Sequence, residues 1–137
     1  SAAIRADVFD DEMAVAAKYS GCQYFVIGIE SFRQDRLDKM NKWIRVDQIK
    51  TTLDLLHKYG INYHGNIILG LDGETVEDIT QEIEELPKGY NLFPVLAQPF
   101  VGTKVTSSLS SDQRDHLNKI FSDYAENQGK HIYEGVI

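Results

Sequence analysis

A chain of 137 residues, 42% hydrophobic and 26% charged, has the composition of one soluble globular domain or of one piece of a larger one. Its net charge of -7, without any basic cluster, disfavours nucleic acid as a partner, because neutralising a phosphate backbone needs grouped Lys and Arg. A single cysteine, Cys22, excludes an internal disulfide framework and a cysteine-rich metal site within this sequence, and no apolar run approaches the roughly 18 residues of a membrane span. With no signal-peptide pattern in view, a reducing, cytoplasmic setting without membrane contact is the expectation.

In chain order, short apolar runs alternate with helical periodicity. Ala2 to Ala6 reads as the end of a strand. Asp10 suits an N-cap for a helix through Tyr19 that carries Met13, Ala14 and Ala17 on one face, and Gly21 stops it. Tyr24 to Ile29 is nearly continuous in apolar and β-forming residues, as a parallel strand covered on both faces would be, and it ends in Glu30-Ser31.

Gln34 to Met40 reads as a short helix and Val46 to Tyr59 as a longer one, with Ile49, Leu53 and Leu56 on one face and Gly60 as its stop. Ile61 to Leu69 is a second buried strand. Thr75-x-x-Asp78 then opens a helix carrying Ile79, Ile83 and Leu86, ended by Pro87 and Gly89. Tyr90 to Ala97 is a third strand; beyond Pro99 and the polar stretch Thr103 to Ser111, the residues Leu117, Ile120, Phe121 and Tyr124 mark a final amphipathic helix. No element is assigned after Gly129.

Lys18-Tyr19-Ser20-Gly21 and Lys58-Tyr59-Gly60 each close a helix and lead into a strand, which is one turn of a repeating β-α unit. Parallel strands need right-handed crossovers, so the candidates are a doubly wound sheet or part of a (β/α) barrel, an α/β fold with outer helices in either case. In both, ligands sit beyond the carboxyl ends of the strands. Three ends therefore matter: Gly28-Ile29-Glu30-Ser31, Leu69-Gly70-Leu71-Asp72 and Ala97-Gln98-Pro99-Phe100.

The glycine loop Gly70-Leu71-Asp72-Gly73 lacks the Gly-Lys-Ser/Thr ending of a phosphate loop and the glycine spacing of a dinucleotide fingerprint. Asp72 and Glu74 place carboxylates beside the helix start, where an anion would be repelled. On this stretch alone, a plain turn remains open beside a ligand loop.

Taken together, GIESFRQDRLDKMNK, GNIILGLDGETVEDI and PFVGTK resemble, in order and spacing, the later strands of the radical S-adenosylmethionine (radical SAM) domain. The resemblance extends over most of residues 4 to 105 and is nearest to the branch of cobalamin-associated enzymes and the magnesium-protoporphyrin ester oxidative cyclase. It implies half of a six-stranded partial barrel, about three to four parallel strands with outer helices, forming residues 1–137 as a single domain. Members hold a [4Fe-4S] cluster through C-x-x-x-C-x-x-C near the first strand, and reductive cleavage of SAM on that cluster gives a 5′-deoxyadenosyl radical. This sequence has no such motif, and Cys22 alone cannot hold a cluster. The resemblance thus implies a parent of oxidoreductase type whose cluster-binding N-terminal half is missing here, with SAM, [4Fe-4S] and optionally cobalamin belonging to the parent and none expected on this chain, which would be inactive alone.

The resemblance also assigns residues. Glu30 falls where the family places a Glu or Gln that hydrogen-bonds the ribose hydroxyls of SAM, and a carboxylate can accept from both at once. Ser31 is a further polar contact or a helix cap. Lys42 falls where relatives pair the methionyl carboxylate, or is an exposed lysine at a helix end, and Arg5 is either a second anion contact or a surface residue. Asn66 matches a ribose position or is an amide satisfied in the barrel; Ile68 and Gly70 would face adenine, Gly70 allowing close approach. Gln98 contacts adenine or substrate, or simply lines the barrel. Trp43 and Arg45 depart from the Gly and capping Thr that the resemblance leads one to expect, which predicts a helix short of about 1 kcal/mol of capping and a Trp43 that packs on the adjoining helix or else faces substrate.

Two other readings stand beside this one: a self-contained α/β nucleotide-binding module, and a non-catalytic interaction fragment. Half a barrel leaves open sheet edges, which two chains could cover by pairing, so a homodimer is expected where the missing half is not the partner.

Overall fold

A computed structural model of the chain describes residues 1–98 and 108–134, the side chains of residues 129–134 excepted. The motif PFVGTK lies outside the described residues. The described elements alternate as the sequence predicts: β1 (Ala2–Arg5), α1 (Asp11–Tyr19), β2 (Tyr24–Glu30), α2 (Gln34–Lys39), α3 (Val46–Lys58), β3 (Asn62–Leu69), α4 (Val76–Glu85), β4 (Leu92–Leu96) and α5 (Ser111–Glu134). Four parallel strands form one sheet in the order β1-β2-β3-β4, the succession that right-handed β-α crossovers produce. In the β1/β2 pair, Ala2 lies opposite Phe25 and Arg5 opposite Gly28.

The chain divides into two compact units, residues 1–66 and residues 67–137, with the division inside β3. In the first unit the side chains of Phe25, Ile27 and Ile29 alternate into the buried face of β2, and Ile49, Leu53 and Leu56 form the fully buried stripe of α3. Asp10 caps α1 by accepting from the Met13 amide at 2.8 Å. At the other end of α1 the Cys22 amide reaches back to the Ala17 carbonyl, and after α3 the Ile61 amide does the same to Leu56, so the two Lys-Tyr segments close their helices alike. The buried hydroxyl of Thr52 donates to the Ala6 carbonyl at 2.5 Å, tying α3 to the carboxyl end of β1.

The start of α3 is built differently from a Ser/Thr cap. Arg45 has no side-chain acceptor to offer. Its amide instead donates to the side-chain oxygen of Gln48, and Gln34 accepts from the Val46 amide at 3.1 Å while donating to the Ile44 carbonyl. Gln34 thereby supplies part of the capping that the expected shortfall at Arg45 would remove.

In the second unit Ile67, Leu69, Ile79, Ile83, Leu92, Leu96, Leu117 and Phe121 make the core, and α5 packs against both β4 and α4. Thr75 and Asp78 form the reciprocal capping box expected from the sequence. A second box, Ser110 with Gln113, starts α5. That helix runs past Gly129, beyond the assigned region of the sequence. Pro94, which has no amide to donate, is tolerated because β4 ends the strand order.

Candidate functional site

At the carboxyl end of β2 the backbone turns sharply. The Ser31 amide donates to the Ile29 carbonyl at 2.9 Å with Glu30 between them at φ 72, the rare, strained kind of γ-turn. The buried Ser31 hydroxyl accepts from the Arg33 amide at 3.0 Å, so it braces the approach to α2.

The turn folds the Glu30 side chain back over Gly28: a Cβ at position 28 would lie 3.1 Å from Glu30 Oε1. Only 13% of the Glu30 side chain is exposed, and Lys42 Nζ stands 3.4 Å from Oε1. The second oxygen, Oε2, is buried and has no hydrogen-bond partner among the described residues. A carboxylate oxygen in that state is costly unless a donor meets it.

Lys42 comes from the turn after α2, where its amide donates to the Leu37 carbonyl at 3.2 Å. Its neighbours Asn41 and Trp43 sit at φ 53 and 55 and, with Glu30, are the non-glycine residues of positive φ among the described residues. Such conformations cost about 1–3 kcal/mol each, least for Asn, and tend to collect where function requires them. The left-handed backbone at position 43 gives a physical reason for the Gly that the resemblance leads one to expect there. Trp43 itself is 89% exposed and does not pack on the adjoining helix as expected.

Which residues share the face of Glu30 follows from alternation. Tyr24 and His64 join β2 to β3 through a 2.6 Å contact between hydroxyl and Nδ1, so the series Tyr24, Val26, Gly28, Glu30 and the series Asn62, His64, Asn66 project from the same side. Asn66 is therefore a half-buried neighbour on the Glu30 face. Arg5, opposite Gly28 in the register, is exposed and forked onto Asp7 by two 3.0 Å hydrogen bonds. This hydrogen bond holds the Asp7 carboxyl below the usual range.

A recess of about 200 Å³ opens at the end of β1, lined by Ala6, Phe9, Arg45 and Thr52 among others. It includes neither Glu30 nor Lys42, and its arginine is already paired with Asp47 at 2.9 Å.

In the second unit the loop after β3 is closed on itself. Glu74 Oε2 accepts from the amides of Gly70 at 2.8 Å and Leu71 at 3.3 Å, while the Glu74 amide donates to the Leu71 carbonyl. The space a side chain at Gly70 would take is held by Leu96 and Leu109, at 3.0 and 3.3 Å from an ideal Cβ. Ile68 is half-buried on β3, and Gln98 is exposed just beyond β4. The residues that sequence reasoning missed are Gly28 and Glu74. The signal for Gly28 was its position two before Glu30, on the same face of the strand.

Together, parallel strands with outer helices define the class: part of a β/α barrel, a fold in which ligands sit at the carboxyl ends of the strands. A family model for the radical SAM superfamily matches residues 2–86, and the chain belongs to that superfamily. It is 30% identical over 108 residues to an uncharacterized methyltransferase of Pyrococcus horikoshii, covering 77% of this chain and 23% of the relative. It is also 34% identical over 95 residues to the bacteriochlorophyllide d C-12(1)-methyltransferase of Chlorobaculum tepidum, covering 67% and 21%.

Two solved structures share the fold. The cobalamin-dependent S-adenosylmethionine radical enzyme OxsB, with aqua-cobalamin and S-adenosylmethionine bound, aligns at TM-score 0.54 and 18% identity over 92% of this chain and 18% of its own. The radical S-adenosylmethionine methyltransferase TsrM of Kitasatospora setae aligns at TM-score 0.52 and 20% identity, over 60% of this chain and 16% of its own. The chain thus spans about a fifth of the length of the proteins it matches. Among the described residues, no helix is long and apolar enough to cross a membrane.

Proposed function

We propose that this chain is the SAM-binding side of a larger radical SAM enzyme, with Glu30 as the acceptor for the two ribose hydroxyls. The observation that carries this reading is Glu30 Oε2, buried at a strand end without a partner among the described residues. A ribose hydroxyl would supply the donor that Oε2 lacks, beside Oε1 on Lys42. Asn66, on the same face, suits a second ribose contact. On this reading the chain forms one domain together with an N-terminal half supplied by the parent, and the close approach of adenine expected at Gly70 is not available, because Leu96 and Leu109 already pack against that glycine.

The cluster does not fit this chain. Cys22 is its one cysteine, and the described residues contain no group of three or more His, Cys, Asp or Glu suited to a metal ion. We therefore assign the [4Fe-4S] group, and cobalamin with it, to other parts of the parent. When bound to a cluster, SAM supplies a carbon radical or a methyl group; this chain's residues bind and orient it and perform no bond-breaking step alone. The names of the relatives favour methyl transfer over the oxidoreductase class expected from the resemblance.

The test is an NMR titration of the chain with SAM. Weak, saturable shifts centred on Glu30 and its neighbours, lost in Glu30→Ala, are expected. Shifts that ignore that substitution, or no shifts at millimolar ligand, would overturn the reading, as would a stable four-iron spectrum after anaerobic reconstitution with iron and sulfide.

Without its missing half, the chain is expected to pair with a second copy. Phe93 and Val95 are exposed on β4, the last strand of the order, and an apolar edge of that kind invites association. Sedimentation should show a dimer; a monodisperse monomer at micromolar concentration would refute it.

A further inference from the structure

We propose that Lys42 is a positioning residue for Glu30 rather than the partner of the ligand's own carboxylate. The inference rests on the reading of Glu30 as the ribose acceptor. Lys42 Nζ holds one carboxylate oxygen, Oε1 at 3.4 Å, and the oxygen it leaves alone is the buried Oε2. Gly28 leaves room for the arrangement, since a Cβ there would lie 3.1 Å from Oε1. One oxygen is thus held by a charge, which sets the direction of the other.

The backbone supports the same assignment. Left-handed residues stand at both ends of the pair: Glu30 itself, and Asn41 and Trp43 on either side of Lys42. Glu30 thus ends its strand in a strained turn, and Lys42 is flanked by two such residues. If Lys42 turned away to meet a carboxylate on the ligand, Glu30 would keep a largely buried negative charge without its cation, and that arrangement is unfavourable. A lysine that stays on Glu30 keeps the carboxylate oriented, ready to accept from a vicinal diol.

Adenosine and SAM separate the two roles, because adenosine has the ribose and no carboxylate. Calorimetric or NMR titrations would compare the chain with its Lys42→Met and Lys42→Arg variants, using adenosine, 2′-deoxyadenosine and SAM. Positioning predicts that Lys42→Met weakens adenosine and SAM by the same factor, about tenfold, the scale of one charge-assisted hydrogen bond. It also predicts that the preference for adenosine over 2′-deoxyadenosine disappears in Lys42→Met and returns in Lys42→Arg. If Lys42→Met weakens SAM alone, the lysine meets the ligand's carboxylate and the proposal fails while the functional reading stands. Unchanged binding of both ligands also overturns it. If the unmodified chain binds neither adenosine nor SAM, the functional reading fails and takes the proposal with it.

Discussion

Replacing Gly70 by Ala tests how the loop after β3 is held. Two costs add at this position. Gly70 sits at φ +81, and a left-handed backbone costs an L-residue about 1–2 kcal/mol, reduced by about 0.4–1 kcal/mol because alanine restricts the unfolded chain. The new methyl would also lie 3.0 Å from Leu96 Cδ2 and 3.3 Å from Leu109 Cδ1. Leu96 is buried, so its movement disturbs the core, and overpacking of this kind costs about 1–3 kcal/mol. The total is about 1–4.5 kcal/mol. Gly73→Ala is the internal control: its φ is +84 and nothing lies within 4 Å of the added carbon, so only the backbone cost of about 1 kcal/mol applies. Urea unfolding followed by circular dichroism, extrapolated to water, measures both. If Gly70→Ala loses no more stability than Gly73→Ala, the packing of Leu96 and Leu109 against Gly70 is refuted; if both are neutral, so is the left-handed backbone.

Three further outcomes follow from the structure. Trp43→Gly should stabilise the chain by about 0.5–1 kcal/mol, because it removes left-handed strain at an 89% exposed side chain and loses part of that gain to unfolded-state entropy; a lower urea midpoint would contradict this. Thr75→Ala should cost about 1 kcal/mol by removing the acceptor of the Asp78 amide, read as a fall in the same midpoint. Burial pushes the Tyr124 hydroxyl up to about 12, so its contribution is intact below the unfolded value near 10 and is lost as pH rises from there towards 12. Tyr124→Phe should flatten that alkaline fall in stability, and identical pH profiles for the two proteins would refute the assignment.

The elements were legible because their signals are local. Alternating burial in β2, the Ile49-Leu53-Leu56 stripe and the Thr75-x-x-Asp78 box each need only a few neighbouring residues to be recognised. The same kind of signal, Ser110-x-x-Gln113, marks the start of α5. The end of that helix was missed because Gly129 reads as a breaker, although a single glycine costs a helix only about 1 kcal/mol. The site was legible in its residue types and not in its geometry. Nothing local in Gly-Ile-Glu-Ser announces a left-handed glutamate, and no propensity places a lysine from the next turn against one of its oxygens. Glu74 shows the same limit: its charge counted against a phosphate, but only the fold reveals that its carboxylate caps the loop's own amides.

That capping has a consequence for ligand competition. An acceptor tethered four residues from the Gly70 amide is present at an effective concentration that a flexible linker of this length sets in about the millimolar range or above. Free phosphate or nucleotide would have to displace it at both amides while meeting its negative charge. The loop therefore carries its own inhibitor, always bound, and stays closed to outside anions.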